Sequence, residues 1–425
     1  MSLQQGLSGL DAASKYLDVV GNNVANSGTA GFKAAQAQFG DVFAASLAGS
    51  GVAPVGIGTQ LSAVAQQFTQ GNITVTNNPL DIAINGTGFF GVAPAGSSSP
   101  NFTRNGQFHL DKDGYIVTSA GNQLQGLAYD TAGKLSTVTA GLRINSQDMS
   151  ATPTTTMGLT MNLNANAAVP TGTWTDPDPK AVAPAPVSPD PTSYNNSTSL
   201  SIYDSQGIAH TATLYFVKTA ANSWDVHLSV DGYGTSAALS PSSPLTTLAF
   251  NAAGQVASGA TPSVQINLAA IDPKLGASFG PIKLDLTNAT QYGGPFGVTA
   301  ATQDGNMSGS LASYNIDGKG VILGHYTNGK NRPLGQIELY SFSNPQGLVS
   351  LGGNQWELTA ASGQALVNLP GTAGMGVLQS SATEDSNVDM TAELVKMITA
   401  QRIYQANAQS IKTQDAMLQT LVNLR

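Results

Sequence analysis

Residues 386–425 read SNVDMTAELVKMITAQRIYQANAQSIKTQDAMLQTLVNLR, and this stretch sets the architecture of the chain. Ser386 and Asp389 form the S-x-x-D signature of a helix start, and apolar residues then recur at helical spacing. This stripe consists of Leu394, Met397, Tyr404, Ala408, Ile411, Leu418 and Leu421. Members of it lie seven residues apart, from Met397 to Leu418, as in a coiled-coil seam. We predict a C-terminal helix, within residues 380–425, that packs against another helix.

The other end of the chain carries a matching helical stripe. It consists of Leu3, Leu7, Leu10, Leu17, Val20 and Val24, which are spaced three, four or seven residues apart. Glycine and asparagine follow, and they end the helix between Gly21 and Gly28. A lone helix of this length is marginal in water, so its stripe needs partners. We predict that the helix of residues 1–31 packs on the C-terminal helix and on neighbouring copies. The alternative is that both helices simply pack on the β core.

Nearly everything between the two helices predicts β-structure. Short alternating or β-branched runs are separated by turn sequences such as DKDG at residues 111–114 and DGKG at residues 317–320. The predicted strands cover residues 80–84, 108–110, 115–118, 156–164, 200–203, 211–217, 224–230, 282–286, 321–325 and 335–342. The predicted fold is therefore α+β but mostly β: paired, coiled-coil-like N- and C-terminal α-helices with two nested β-sandwich-like or barrel-like domains.

A proline-rich segment interrupts the β-region. Seven prolines lie from Pro170 to Pro191 among Thr, Ser and Asp, a composition that forms neither a β-ladder nor a packed core. We expect an exposed loop here, within an outer β-domain that is inserted into the first. The predicted boundaries are 1–31 for the N-terminal helix, 32–70 for a connecting segment, 71–149 and 300–379 for the two halves of the first β-domain, 150–299 for the inserted domain and 380–425 for the C-terminal helix.

Composition excludes several classes of function. The formal net charge is -8 and only 10% of residues are charged, so the basic surface that binds nucleic acid is missing. The chain has no cysteine, which excludes disulfides and thiolate chemistry. No stretch approaches the ~20 apolar residues of a membrane-spanning helix, and residues 1–7 lack a signal-peptide pattern. We expect no nucleic-acid partner and no membrane insertion.

Motifs that would indicate catalysis fail in their context. Gly86, Gly88 and Gly91 match the dinucleotide-binding glycine pattern, but a predicted strand rather than a helix follows them. Residues 276–280, GASFG, match the nucleophile elbow, but Pro281 and a predicted strand come next. The four histidines lie far apart, without the spacing of metal ligands. We predict no catalytic residue, no metal site and no cofactor.

Short polar and aromatic motifs occur at both ends of the chain, and their residues are Asn22, Asn23, Asn26, Gly31, Phe32, Lys33, Asn387, Asp389, Gln401, Tyr404 and Asn407. These motifs resemble those of the bacterial flagellar rod, hook and hook-associated axial proteins. Residues 78–86 (NPLDIAING), 102–108 (FTRNGQF) and 342–348 (FSNPQGL) are similar to hook members of this family. The resemblance covers residues 1–150 and 300–425, and the motifs at the two ends occur in the family's order.

The resemblance implies a self-assembling subunit of a curved tube that acts as a universal joint and passes motor torque from the rod to the filament. It implies a homopolymer that contacts the distal rod protein and the hook-filament junction protein, and, during assembly, the hook cap and the hook-length control protein. An extracellular location in the flagellum is implied too, with export by the flagellar type III apparatus and without a cleaved signal peptide. Some family members crosslink a cysteine to a lysine of the next subunit, which a chain without cysteine cannot do.

The apolar residues of the two terminal stripes are the predicted assembly interface. Three other functions stay open at this point. One is a distal rod subunit, although the long inserted domain favours the hook. Another is a secreted β-rich adhesin or glycan-binding module, which Trp174, Trp224 and Trp356 would permit but which leaves the paired helices unexplained. The third is a hydrolase, for which only the rejected serine motif speaks.

Overall fold

The computed structural model describes residues 2–42, 56, 58–97, 99–130, 133–145, 147–177, 188–234, 244–258, 262–266 and 280–423. The chain divides into two compact units. Unit 1 combines Met1–Ser146, Ala312–His325 and Asn331–Arg425, and unit 2 combines Gln147–Leu311 and Tyr326–Lys330. The boundaries predicted from the sequence, at residues 150 and 299 for the inserted domain, stay a prediction.

Two α-helices lie at the two ends of the chain. Helix α1 spans Ser2–Ala25 and helix α2 spans Met390–Asn423. Helix α1 ends inside the interval that its glycine and asparagine residues predict. The combination of these terminal helices with many short strands confirms the predicted fold class, a mostly β chain with paired helices.

Helix α2 begins later than residue 380, and Asp389 is the residue that caps it. The Asp389 carboxylate accepts hydrogen bonds from the backbone N–H groups of Thr391 (2.9 Å) and Ala392 (3.1 Å), which satisfies two donors that a helix start leaves free. Ser386, which the S-x-x-D pattern presents as the capping residue, instead accepts a hydrogen bond from the N–H of Val388. The carboxylate three residues further along therefore starts the helix.

After helix α1, unit 1 continues with a β-hairpin and then with short strands. Their bounds are β1 Ala35–Val42, β2 Gly58–Gln66, β3 Ile73–Val75, β4 Ile82–Asn85, β5 Phe89–Ala93, β6 Asn101–Thr103, β7 Phe108–Leu110, β8 Ile116–Thr118, β9 Gln123–Tyr129 and β10 Leu135–Gly141. Strands β1 and β2 lie in the segment that the sequence presents only as a connection. They pair with each other in an antiparallel ladder.

Unit 2 contains longer strands. Their bounds are β11 Thr156–Asn164, β12 Asn196–Tyr203, β13 Ala209–Ala220, β14 Ser223–Val230, β15 Tyr233–Gly234, β16 Thr246–Ala249, β17 Ser263–Ile266, β18 Ile282–Asp285, β19 Thr290–Tyr292 and β20 Gly297–Gln303. They form two sheets in the described part of the unit, one around β11 and one around β13 and β14. The predicted strand over residues 156–164 has the observed bounds of β11.

The chain then returns to unit 1. The remaining strands are β21 Leu311–Ile316, β22 Val321–Tyr326, β23 Asn331–Ile337, β24 Leu339–Ser341, β25 Val349–Gly352, β26 Gln355–Glu357, β27 Leu366–Asn368, β28 Val377–Ser380 and β29 Ala382–Glu384. Strand β28 pairs with β4, and β29 pairs with β3. These two ladders bring the C-terminal part of the chain back to its N-terminal part before α2 begins.

Most strands of unit 1 join one large sheet. Its central path in the described residues runs β21-β22-β23-β9-β5-β6-β26-β25, so strands from both sides of the insertion alternate within it. A cluster of aromatic side chains packs on this sheet: Phe89, Phe102, Tyr340, Phe342 and Trp356 are buried, and Phe68 packs against them. Strand β25 lies at one end of the path.

The core of unit 2 is apolar and continuous. Met157, Leu159, Met161 and Leu163 of β11 are buried in alternation with partly covered residues, as the two-residue period of a strand requires. They pack with the buried side chains of both sheets, among them the fully buried Trp224. This core needs no side chain from the terminal helices.

The proline-rich segment differs from the expected exposed loop. Trp174 is only 7% exposed, its ring stacks on His227 with centroids 4.3 Å apart, and its Nε1 donates to Asp176 at 2.9 Å. The large apolar area of the indole explains why this part of the segment packs down. Residues 178–187 lie outside the described residues.

The glycine motif behaves as the sequence predicts. Gly86 and Gly88 have φ angles of +118° and +123° and form the turn between strands β4 and β5, so no helix follows them. Residues 276–279 of the serine motif lie outside the described residues. Within the described ranges, no helix is long and apolar enough to cross a membrane, and no cluster of three potential metal-ligating side chains occurs.

Candidate assembly site

Helices α1 and α2 pack against each other in antiparallel order. Gly6 of α1 lies against Ile411 of α2, and Gly9 lies against Asn407. At the other end of α1, the Nδ2 of Asn23 lies 3.3 Å from the Glu393 carboxylate. The register therefore runs consistently along the whole of α1.

Two glycines of α1 allow the close approach of α2. A Cβ atom added at Gly6 would lie 3.0 Å from Cγ1 of Ile411, and one added at Gly9 would lie 2.8 Å from Nδ2 of Asn407. Glycine costs roughly 0.5–1 kcal/mol relative to alanine inside a helix. The close packing of the two helices explains why glycine occupies these positions.

Asn23 connects α1 to the first β-hairpin and to α2. It is 1% exposed, its Nδ2 donates to the carbonyl of Ala35 at 2.8 Å, and its Oδ1 accepts from the N–H of Ala35 at 2.9 Å. The same amide group reaches Glu393, which also pairs with Lys396 at 2.6 Å. An asparagine from the family motif thus fixes three segments in one place.

Lys33, Arg104 and Glu384 form a buried ionic group that we call the clasp. The Lys33 ammonium lies 2.6 Å from Oε1 of Glu384, and Nη1 of Arg104 lies 3.2 Å from its Oε2. The side chains of Lys33 and Glu384 are fully buried, and Arg104 is 3% exposed. The clasp ties a residue after α1 to one before α2 and to the loop that follows β6.

Burial governs the charges of the clasp. It lowers the pKa of both Lys33 and Arg104, while the attraction and hydrogen bond of Glu384 act in the opposite direction. Glu384 is further held by the N–H of Gly71 at 2.9 Å. Removing one member of such a group leaves a buried charge without compensation, which is far more costly than never having built the group.

Polar backbone contacts complete the junction around the clasp. The Asn387 side chain accepts from the N–H of Ala34 at 2.7 Å and donates to the carbonyl of Gln67 at 2.7 Å. Gly31 has a φ of +70° and donates its N–H to the Glu384 carbonyl at 2.7 Å. A Cβ at Gly31 would lie 2.5 Å from the backbone nitrogen of Asn105, so this position requires glycine.

The family motif residues occupy several different environments. Gly31, Lys33, Asn23 and Asn387 take part in the buried junction. Asn22, in the last turn of α1, accepts an exposed hydrogen bond from Asn26 at 2.7 Å. The others are Phe32, which is partly buried, Gln401 and Tyr404, which are exposed, Asn407 beside Gly9, and the capping residue Asp389.

The predicted interface residues divide into covered and exposed groups. The buried or partly covered ones are Leu10, Leu17, Val20, Val24, Met397, Ala408 and Ile411. The exposed ones are Leu7 (59%), Leu394 (43%), Tyr404 (38%) and Leu418 (46%). The side chains of Leu3 and Leu421 lie outside the described residues. The helix pair thus covers one group within a single subunit and leaves the other open.

Helix α2 exposes a second apolar surface that we call its free face. Met390 (50% exposed), Leu394 (43%), Val395 (60%) and Ile398 (51%) form it. At 100° per residue Leu394, Val395 and Ile398 point away from Ala400, which is buried on the side toward α1, and Met390 lies at the edge of this surface. Single exposed apolar side chains are ordinary, but a row of four on one helix face indicates an interaction surface.

The end of α2 also extends past its partner helix. Continuing the register of Gly6 with Ile411 brings Ser2 opposite the turn that contains Asp415. Met417 (55% exposed) and Leu418 (46% exposed) lie beyond that turn. Their apolar side chains are therefore exposed among the described residues.

Sequence reasoning missed two of the three clasp residues, and it missed the two glycines of α1. Arg104 lies in a quoted family segment, but nothing in its spacing links it to Glu384, which is 280 residues away. Gly6 and Gly9 carry no periodic signal, although glycine within a strong helical stripe is a cue for close packing. Glu384 stands in a short polar run that reads as a loop.

Family profiles match the chain in order along its length. The profile "Flagella basal body rod protein" matches residues 3–33, and "Flagellar hook protein FlgE/F/G D1 domain" matches residues 83–167. "Flagellar basal body protein FlaE D2 domain" matches residues 162–306. "Flagellar basal body rod FlgEFG protein C-terminal" matches residues 379–424.

Whole proteins are similar over the full length as well. The flagellar hook protein FlgE of Salmonella typhimurium is 42% identical over 431 residues and covers 100% of both chains. The FlgE proteins of Escherichia coli K12 (41% identical) and Rhizobium meliloti (33% identical) also cover 100% of this chain. The crystal structure of Helicobacter pylori flagellar hook protein FlgE2 shares the fold, with a TM-score of 0.53 and 15% identity over 73% of this chain and 100% of that one.

Proposed function

This chain belongs to the flagellar hook protein family, and from that premise we propose how it works. It is a structural subunit of the bacterial flagellar hook and assembles with copies of itself into a curved tube. The tube acts as a universal joint that passes motor torque from the rod to the filament. The terminal helices form the contacts that build the tube.

The free face of α2 is the observation that supports this assembly mode. Its four apolar side chains are 43–60% exposed in a single subunit. Burying one such side chain contributes about 1.5–3 kcal/mol, and a polymer repeats this gain at every subunit. A neighbouring helix is the simplest cover, because the spacing of these residues is that of one helix face.

The predicted interface residues take two roles in this proposal. Val20, Met397 and Ile411 hold the helix pair together within a subunit. Leu7, Leu394 and Leu418, which stay exposed in the single subunit, contact the helices of other copies. The clasp holds the helix pair in a defined position on the β-sheet of unit 1, so that torque passes between them.

Partners and location follow from the same family membership. We propose that the tube ends contact the distal rod protein and the hook-filament junction protein, and that growth involves the hook cap and the hook-length control protein. We further propose that the chain leaves the cell through the flagellar type III export apparatus, without a cleaved signal peptide, and acts outside the cell. It carries out no catalysis and needs no cofactor.

A substitution on the free face tests the assembly mode. Ile398→Asp places a charge among the apolar side chains of the free face and leaves the contact between α1 and α2 unchanged. The subunit should therefore fold normally, and tube formation should be lost. The measurement is negative-stain microscopy of hooks from cells that make only the variant, with circular dichroism of the purified subunit as the check on folding.

Gln409→Asp is the matched control, because Gln409 is exposed on the same helix and polar already. Hooks should form normally in this variant. Normal hooks in the Ile398→Asp strain would show that the free face of α2 is not an assembly contact.

A further inference from the structure

An open cavity lies beside the clasp in unit 1. It has a volume of about 320 Å³, and Phe68, Phe89, Phe342, Met375 and Arg104 line it together with small residues such as Ser341. A cavity of this size accommodates one or two side chains. Its walls combine these apolar side chains with the polar side chains of Thr87, Ser341 and Arg104.

Arg104 has a donor left over at this cavity. Its Nη1 binds Glu384 and its Nη2 donates to the carbonyl of Gly86 at 2.9 Å. Its Nε is buried and has no hydrogen-bond partner among the described residues. Arg104 lines the cavity, and an anion that enters it would compensate the buried charge of the guanidinium.

The charge of the clasp favours an anion as that acceptor. Two cationic side chains, Lys33 and Arg104, share the single carboxylate of Glu384. Burial lowers the pKa of both cations, because little water is present to stabilise their charge. A second carboxylate near Arg104 would restore that stabilisation.

A different surface of unit 1 has the complementary composition. Val349 (52% exposed), Leu351 (50%) and Leu358 (43%) form an apolar ridge with the exposed Glu357. Val349 and Glu357 are direct cross-strand neighbours in β25 and β26. Side chains alternate along a strand, and Trp356, the residue before Glu357, is buried in the aromatic cluster. The side chains of Val349 and Glu357 therefore point away from that cluster.

We propose that the cavity of one subunit receives the Glu357–Leu358 corner of a second copy of the chain. Leu358 packs against the phenylalanines, and the Glu357 carboxylate pairs with the guanidinium of Arg104, which lines the cavity. This inference rests on the proposed function, because it needs neighbouring copies in a polymer.

The two surfaces differ from each other, which suits a helical polymer. The ridge and the cavity are different patches of the same subunit, so the contact is head-to-tail rather than self-complementary. Such contacts repeat from subunit to subunit and generate helical polymers. The exposed edge of β25 also lacks lysine and proline, the residues that commonly keep an edge strand free of partners.

Engineered cysteines test the contact, because the natural chain has none. Ser341→Cys places a thiol in the cavity wall and Leu358→Cys places one on the ridge. Mild oxidation of hooks that carry both changes should give a ladder of covalent multimers on a non-reducing gel. The matched control combines Ser341→Cys with Asp113→Cys, which lies in an exposed turn, and should give no ladder.

The outcomes separate this contact from the assembly mode itself. Hooks that form but yield no ladder overturn the proposed contact while leaving assembly intact. Failure of the unsubstituted chain to form hooks would instead contradict the proposed function.

Charge reversal gives a second measurement if the cysteine pair does not assemble. Glu357→Lys should lower the yield of hooks about tenfold through repulsion from Arg104, whereas Asp113→Lys should not change it. Equal yields for both variants would overturn the contact.

Discussion

The two units of this protein are stabilised in different ways. Unit 2 is built around one continuous apolar core, in which Trp224, Phe216 and Ile282 are fully buried. Unit 1 instead places the clasp at the junction of its chain ends, where Lys33 meets Glu384 across 351 residues of sequence. It also carries a helix with an exposed apolar face.

This difference shows which part of the subunit is complete by itself. Unit 2 encloses a continuous apolar core and even buries Trp174 from its proline-rich segment. With all three tryptophans buried, none is available as the exposed aromatic platform that a glycan-binding module would need. Unit 1 holds its ends in place with ionic and polar contacts and leaves the apolar surface of α2 exposed.

Breaking the clasp should produce the largest difference in stability between the two units. Glu384→Gln removes the carboxylate that two buried cations share, and we expect unit 1 to lose about 3–5 kcal/mol of stability while unit 2 is unchanged. Hydrogen exchange of backbone amides, followed by mass spectrometry, measures the two units separately. Glu357→Gln, at an exposed glutamate, is the control. Equal protection of unit 1 in both variants would show that the clasp does not stabilise it.

A core substitution should act on the other unit. Ile282→Ala removes a fully buried side chain and should cost unit 2 about 2–5 kcal/mol, with no change in unit 1. The same exchange experiment applies, and Ile208→Ala, at a residue that is 53% exposed, should have little effect. If protection in unit 1 fell by the same amount, the two units would not be independent.

Replacing the buried carboxyl of Glu338 should stabilise unit 1. It is 6% exposed, its Oε2 has no hydrogen-bond partner among the described residues, and burial raises the pKa of its carboxyl. A carboxyl whose pKa is higher in the folded than in the unfolded chain stabilises the fold at low pH. This stability is lost as the pH rises through the folded-state pKa. Glu338→Gln should therefore stabilise unit 1 by about 1 kcal/mol at neutral pH, measured by urea denaturation. A loss of stability at neutral pH would contradict this.

The burial of His227 should give unit 2 the opposite pH dependence. Of these four substitutions, the one at His227 should have the smallest effect on stability. Burial lowers the pKa of this histidine, and Asp176 and Asp225 offset the shift only in part. The unfolded chain therefore binds a proton near the ordinary value of about 6.5 more readily than the folded one. The stability of unit 2 that depends on neutral His227 is therefore present above that pH and is lost below it.

Replacing the histidine should remove this slope. His227→Gln should make the stability of unit 2 less dependent on pH between about 5 and 7, while His109→Gln, at an exposed site in unit 1, should not. The measurement is the urea midpoint of unit 2 at a series of pH values. An unchanged slope in the His227 variant would contradict the role of burial.

Local patterns in the sequence determined the elements of this protein. The spacing of Leu7, Leu10 and Leu17 predicts α1, and the alternation over residues 156–164 predicts β11, because each depends only on near neighbours along the chain. Motifs at both ends identify the family for the same reason. The helix start is placed less accurately, since Ser386 and Asp389 are both good capping residues and only backbone geometry selects between them.

Tertiary structure alone decided how distant residues meet. Lys33, Arg104 and Glu384 have no spacing that links them, and they form one ionic group only because β28 and β29 return the chain to β4 and β3. Likewise, the stripe of α2 does not reveal which apolar residues face α1 and which stay free. The glycines at positions 6 and 9 settle that by allowing one face of α2 to approach closely. Long-range pairing depends on the closure of the chain in space, which local periodicity does not encode.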